Sequence, residues 1–101
     1  MKMEFDWDEV KEATNRQKHG IAFEEAENVF AEPPVVVFDS MHSTDELRFI
    51  AVGHSSKNRL LTLSFTYRGA ADQVIRIIGA RRSTREEARF YAEKKAQERH
   101  S

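Results

Sequence analysis

The chain is 101 residues long, without cysteine, with 40% hydrophobic and 33% charged positions. These values fit one compact domain over residues 1–101 and exclude a disulfide framework, a thiolate metal site and a cysteine nucleophile. No apolar run approaches the ~20 residues needed to span a bilayer, and none follows a basic N-terminus, so no membrane association is expected and the cytoplasm is the expected compartment. The net charge of −1 hides a division: residues 1–50 hold five Lys/Arg against twelve Asp/Glu, a balance of −7, and residues 51–101 hold eleven against five, a balance of +6. Either one small body carries an acidic and a basic surface, the latter suited to an anion or nucleic acid, or the halves interleave and neutralise each other.

In chain order, Met3–Phe5 can add a short strand. Asp6 with Glu9 three residues on has the form of a capping box, predicting a helix with Trp7 in its first turn. Trp7, Val10, Ala13 and Thr14 would form its apolar stripe, with Glu9, Lys11, Glu12 and Arg16 facing water, and Gly20 would stop it. A second helix is predicted over about Phe23–Ala31, where Phe23, Ala26, Val29 and Phe30 share a face; Pro33-Pro34 ends it, and Ala22 is a poor cap. Val35–Phe38 reads as a strand and Asp39–Glu46 as a polar loop. Leu47–Gly53, Leu60–Tyr67 and Gln73–Ala80 read as three more strands joined by hairpin-length turns, which favours antiparallel pairing. Ser83-Thr84, with Glu86 or Glu87 following, caps a last helix running to about Glu98. The expected fold is α+β: two N-terminal helices, a mostly antiparallel sheet of about four strands, and a C-terminal helix.

The strongest chemical signal is the run Arg76-Ile77-Ile78-Gly79-Ala80-Arg81-Arg82-Ser83-Thr84, a strand rich in arginine that leads into a helix N-terminus. Strict alternation places Arg76, Ala80 and Arg82 on one face and Ile75, Ile77 and Arg81 on the other. This corner suits one or two phosphates, although Arg81 and Arg82 would equally serve as structural partners of the acidic helices. A second signal is Asn15-Arg16-Gln17-Lys18-His19-Gly20, where Lys18 and His19 either complement the helix dipole or supply charge and a titrating group to a site. His19, His42, His54 and His100 show no metal-ligand spacing and read as isolated surface histidines. No phosphate loop or dinucleotide fingerprint is present, so no cofactor is expected.

Together Phe5-Asp6-Trp7-Asp8, Asn15-x-x-Lys18-His19-Gly20, Phe23-Glu24-Glu25-Ala26 with Phe30, Arg48-Phe49-x-x-x-Gly53 and Arg76-Ile77-Ile78-x-Ala80-Arg81-Arg82 span about residues 4–92 and resemble the BrnT family, the toxin half of BrnT/BrnA type II toxin-antitoxin modules. Two departures stand out, Ala22 at a position where the family usually has a capping serine or aspartate, and a slightly long turn over Arg68–Asp72. The resemblance implies a RelE-like ribonuclease that arrests growth by inhibiting translation and is neutralised by a BrnA-type antitoxin with a ribbon-helix-helix region. The complex of the two would bind operator DNA.

Metal-independent RNA cleavage needs a base for the 2′-OH, cations for the phosphorane and an acid for the leaving oxygen. On this reading Arg76 and Arg81 would hold the scissile phosphate, Lys18 or His19 would transfer protons, Arg48 and Arg82 would bind flanking phosphates, and Glu24 or Glu25 would be a reserve general base. Trp7 and Phe23 are expected in the core rather than stacked on bases. The competing classes are a non-catalytic nucleic-acid- or protein-binding module and an inert partner domain.

Overall fold

A computed structural model describes residues 3–99. The chain runs β1 (Glu4–Asp6), α1 (Glu9–His19), α2 (Phe23–Glu27), a 3₁₀ turn (Asn28–Ala31), β2 (Val35–Phe38), β3 (Phe49–His54), β4 (Leu60–Arg68), β5 (Val74–Arg82) and α3 (Arg85–Arg99). The strands form one sheet in the order β1-β5-β4-β3-β2. Hairpin connections set β2 to β5 antiparallel, as the short links require. The expected four-stranded, mostly antiparallel sheet is corrected to a five-stranded mixed one, because β1 pairs parallel with β5 through Glu4–Val74, Phe5–Ile75 and Asp6–Arg76. These two strands lie at opposite ends of the sequence, so no turn between them could announce the pairing.

Asp8, not Asp6, caps α1: its Oδ1 accepts from the backbone N–H of Val10 at 2.8 Å and of Lys11 at 3.1 Å. Those bonds hold the Asp8 carboxyl below its ordinary pKa. Asp6 instead ends β1, and Trp7 packs edge-on against Phe23 with ring centroids 6.0 Å apart. The expected stripe of α1 is overturned as well. Val10 is 75% exposed, and Ala13 and Thr14 are also exposed. Glu12 is buried, receiving the Phe23 backbone N–H at 3.3 Å and the Arg16 guanidinium at 3.2 Å. A buried carboxylate is tolerated here because both oxygens are hydrogen-bonded. Gly20 ends the helix in the left-handed region at φ 72° and donates its N–H to Arg16 O at 2.8 Å.

The core lies on one face of the sheet, where Ile21, Phe23, Ala26 and Val29 meet Ala51, Leu61, Leu63, Phe65, Ile75, Ile77 and Ala80. Trp7 packs against this cluster and Phe23 is fully buried within it, as core residues rather than stacking platforms. The register of β4 against β5 slips between Ser64 and Phe65: Ser64 faces Gly79 while Phe65 faces Ile77, which leaves Ile78 as the extra residue of a bulge. That one residue inverts the expected alternation. Ala80 joins Ile75 and Ile77 in the core, and Arg81, opposite Thr62, turns to the same face as Arg76, opposite Thr66. Arg82, opposite Leu61, goes to the other face and is exposed.

Candidate active site

The face opposite the core carries Thr62, Ser64 and Thr66 on β4, flanked by Ile50 on β3 and by Gly79 and Arg81 on β5. β1 covers β5 only as far as Arg76, so the outer edge of β5 beyond it needs another partner. Asn15 of α1 provides one. Its side-chain amide donates to Ala80 O at 2.8 Å and accepts from Ala80 N–H at 3.1 Å, matching the groups a neighbouring strand would offer, and donates also to Ile21 O at 3.1 Å. This contact sets the end of α1, with His19, against the polar face of the sheet.

The loop between β2 and β3 closes the other side. Asp39 N–H donates to Arg48 O at 2.9 Å. Ser43 Oγ donates to Asp39 O at 2.6 Å and accepts from Arg48 N–H at 2.8 Å. Within this stitched loop Asp39 uses both carboxylate oxygens on His42: Oδ1 accepts from the backbone N–H at 3.3 Å and Oδ2 lies 2.8 Å from ring Nδ1. Asn15 and His19 on α1, Asp39, His42 and Arg48 on the loop, and Ser64 and Arg81 on the sheet thus line one open cavity of about 320 Å³. Arg48 Nε is buried and has no hydrogen-bond partner among the described residues.

Arg81 enters this cavity through a capping box. Thr84 and Glu87 bond reciprocally, Thr84 N–H to Glu87 Oε1 at 2.8 Å and Glu87 N–H to Thr84 Oγ1 at 3.2 Å. The same Glu87 carboxylate takes both ends of the Arg81 guanidinium, at 2.7 and 2.8 Å, and the Thr62 hydroxyl at 3.0 Å. The Arg81 bonds, aided by those from Thr84 and Thr62, hold Glu87 down to about 2 and raise Arg81.

Of the residues expected from sequence, His19, Arg48 and Arg81 meet in the cavity. Lys18 does not; it lines an adjacent groove of about 300 Å³ with Thr14 and Ile78, which shares Asn15 and His19 with the main cavity. Arg76 stands on the same face but is paired with Asp6 at 2.5 Å. Arg82 lies on the opposite face because of the bulge. Glu25 is buried, gripped by Arg59 and by the Ser55 hydroxyl at 2.7 Å, and Arg59 holds its pKa below the ordinary carboxylate value. Neither Glu25 nor the exposed Glu24 lines the cavity. Sequence reasoning missed Asp39, His42 and Ser64; an Asp-x-x-His-Ser string in a polar loop, the pattern of a side-chain-stabilised turn, was the available signal. Among the described residues no group of three or more His, Asp or Glu could hold a metal ion, and no helix is long and apolar enough to cross a membrane.

The family model described as ribonuclease toxin, BrnT, of type II toxin-antitoxin system matches residues 7–87. Among solved structures, the chain is similar to the 1.1 Å crystal structure of the Brucella abortus ribonuclease toxin BrnT. The TM-score is 0.64 at 24% identity, over 82% of this chain and 99% of that one. No curated protein matches.

Proposed function

The chain belongs to the BrnT family of ribonuclease toxins of type II toxin-antitoxin systems, and from that premise we propose that the cavity between α1, the β2–β3 loop and the sheet is the site of RNA cleavage. The observation that carries this reading is the convergence of Arg48, Arg81 and His19 on one concave surface. Arg48 presents its side chain to the cavity. A phosphate oxygen held there by a guanidinium is bound more strongly as the phosphorane forms and gains negative charge, which is the differential binding that accelerates a reaction.

The reaction is metal-independent attack of a ribose 2′-OH on the adjacent phosphate. Arg48 and Arg81 neutralise the phosphorane, Arg81 being held in place by Glu87. His19, in the last turn of α1 and in the cavity lining, suits protonation of the leaving 5′-oxygen. Lys18, in the adjoining groove, binds a flanking phosphate. Arg76, on the same face but outside the lining of the cavity, is a weaker contact in this reading than the sequence suggested, and Arg82 on the far face contributes none.

A toxin of a type II system has a protein antitoxin. We assign it as BrnA-type, with a ribbon-helix-helix region that carries the complex to operator DNA. The activity is RelE-like, acting in the cytoplasm on RNA to inhibit translation and arrest growth.

The test is cleavage of RNA, free and on translating ribosomes, in EDTA, by the wild type and by Arg48→Ala and His19→Ala. The wild type is expected to cut and each variant to lose on the order of 10²-fold or more in rate. Salt-sensitive RNA binding without scission by the wild type in either format would establish a non-catalytic binding module instead.

A further inference from the structure

The β2–β3 loop brings to the cavity a group with the form of a prepared base. We propose that His42, oriented by Asp39, is the general base that takes the 2′-OH proton; this rests on reading the cavity as the cleavage site. Asp39 Oδ2 lies 2.8 Å from His42 Nδ1. A neutral imidazole in that contact carries its proton on Nδ1, which leaves the Nε2 lone pair free to accept another. The carboxylate is sheltered at 11% side-chain exposure while the imidazole is 66% exposed, so the orienting group is fixed and the reacting one is open to substrate. Asp39 also accepts the His42 backbone N–H, and Ser43 ties the loop to the start of β3. Base and phosphate-binding Arg48 are therefore carried as one unit.

Among the described residues, the charged and titratable groups facing His42 across the cavity are His19 from α1, Arg81 from β5 and Arg48 beside it, with Asp39 the one carboxylate in the lining. Of the reserve bases expected on α2, Glu25 is bound to Arg59 and Ser55 and the exposed Glu24 lies outside the cavity lining. Glu12 is likewise bound to Arg16 and the Phe23 N–H. In the reaction His42 Nε2 removes the 2′-OH proton as the O2′–P bond forms. The P–O5′ bond breaks, and the departing O5′ takes a proton from the imidazolium of His19. The products are a 2′,3′-cyclic phosphate and a 5′-OH, and proton exchange with water resets both imidazoles.

The alternative is that Asp39 and His42 only staple the loop. It is separated by His42→Ala, His42→Gln and Asp39→Asn, assayed for RNA cleavage, RNA affinity and thermal unfolding, with and without added imidazole. The expected result is a 10²- to 10³-fold rate loss in His42→Ala and His42→Gln with affinity and midpoint unchanged. Imidazole should partly restore His42→Ala and leave Arg48→Ala unaffected, and Asp39→Asn should lose about ten- to 100-fold. Full activity in both His42 variants while Arg48→Ala and His19→Ala are impaired overturns the base assignment and leaves the cavity as the site. A rate loss without imidazole rescue, accompanied by a lowered midpoint, makes His42 a structural staple and also overturns the assignment. Full activity in all of these variants removes the cavity from the reaction altogether.

Discussion

Glu87 joins fold to site, and its removal gives a measurable signature. Glu87→Gln keeps the shape that caps α3 but removes the charge that binds Arg81 at both guanidinium nitrogens. A carboxyl whose pKa falls from 4.5 to about 2 on folding corresponds to at most ~3 kcal/mol of stability. The side chain is 27% exposed, and solvent screening brings the expected contribution to about 1–2 kcal/mol. The folded state binds this proton less tightly than the unfolded chain, so the stabilisation is complete above about pH 4.5 and is lost as the pH falls toward 2. Urea unfolding of wild type and Glu87→Gln across pH 7 to 2 should show a gap of about 1–2 kcal/mol at neutrality that closes at the acid end. A gap that persists undiminished at pH 2 would refute the ion-pair argument. RNA cleavage by the variant should fall several-fold at pH 7, because the Arg81 guanidinium loses its anchor.

Asn15→Ala leaves the N–H and carbonyl of Ala80 without their partner, and chemical denaturation should record a loss of about 2–4 kcal/mol. A loss under 0.5 kcal/mol would mean that water replaces the amide freely. Glu25→Gln breaks the buried pair with Arg59 and should cost about 2–4 kcal/mol while RNA cleavage by the folded variant stays at the wild-type rate; a selective rate loss would return Glu25 to the list of catalytic groups. At Gly53 an added Cβ would sit 2.8 Å from Val29 Cγ1 and 3.2 Å from Pro34 Cβ, so Gly53→Ala should lower stability by about 1–3 kcal/mol, and an unchanged unfolding midpoint would show that the 3₁₀ turn yields at no cost.

Sequence patterning carried the hairpins and the third helix because those features are local: short links and a Thr84–Glu87 box; the second helix, expected to Ala31, is α-helical only to Glu27 and tightens into a 3₁₀ turn over Asn28–Ala31 before the prolines. Patterning failed where a distant partner decides. β1 takes its place from a strand about seventy positions away, and Glu12 points inward because Phe23 and Arg16 satisfy its oxygens, which hydrophobic periodicity ranks as the wrong face. The bulge at Ile78 is hidden within a run of apolar residues, yet it decides that Arg81 and not Arg82 reaches the cavity. Lys18 and His19 are adjacent in sequence, but successive residues on a helix point about 100° apart, which sets only His19 into the main cavity. His42 looked isolated because its partner, Asp39, is joined to it by a turn rather than by helix or strand spacing.

The central claim, RNA cleavage by 2′-OH attack in the cavity without a metal, is tested most directly by presenting the wild-type protein, in EDTA, with an RNA it cleaves and the same RNA carrying one 2′-deoxyribose at the scissile position. The account predicts full cleavage of the first, to a 2′,3′-cyclic phosphate and a 5′-OH, and an intact bond in the second. Cleavage of both RNAs, or activity that vanishes in EDTA and returns with a divalent cation, would contradict it.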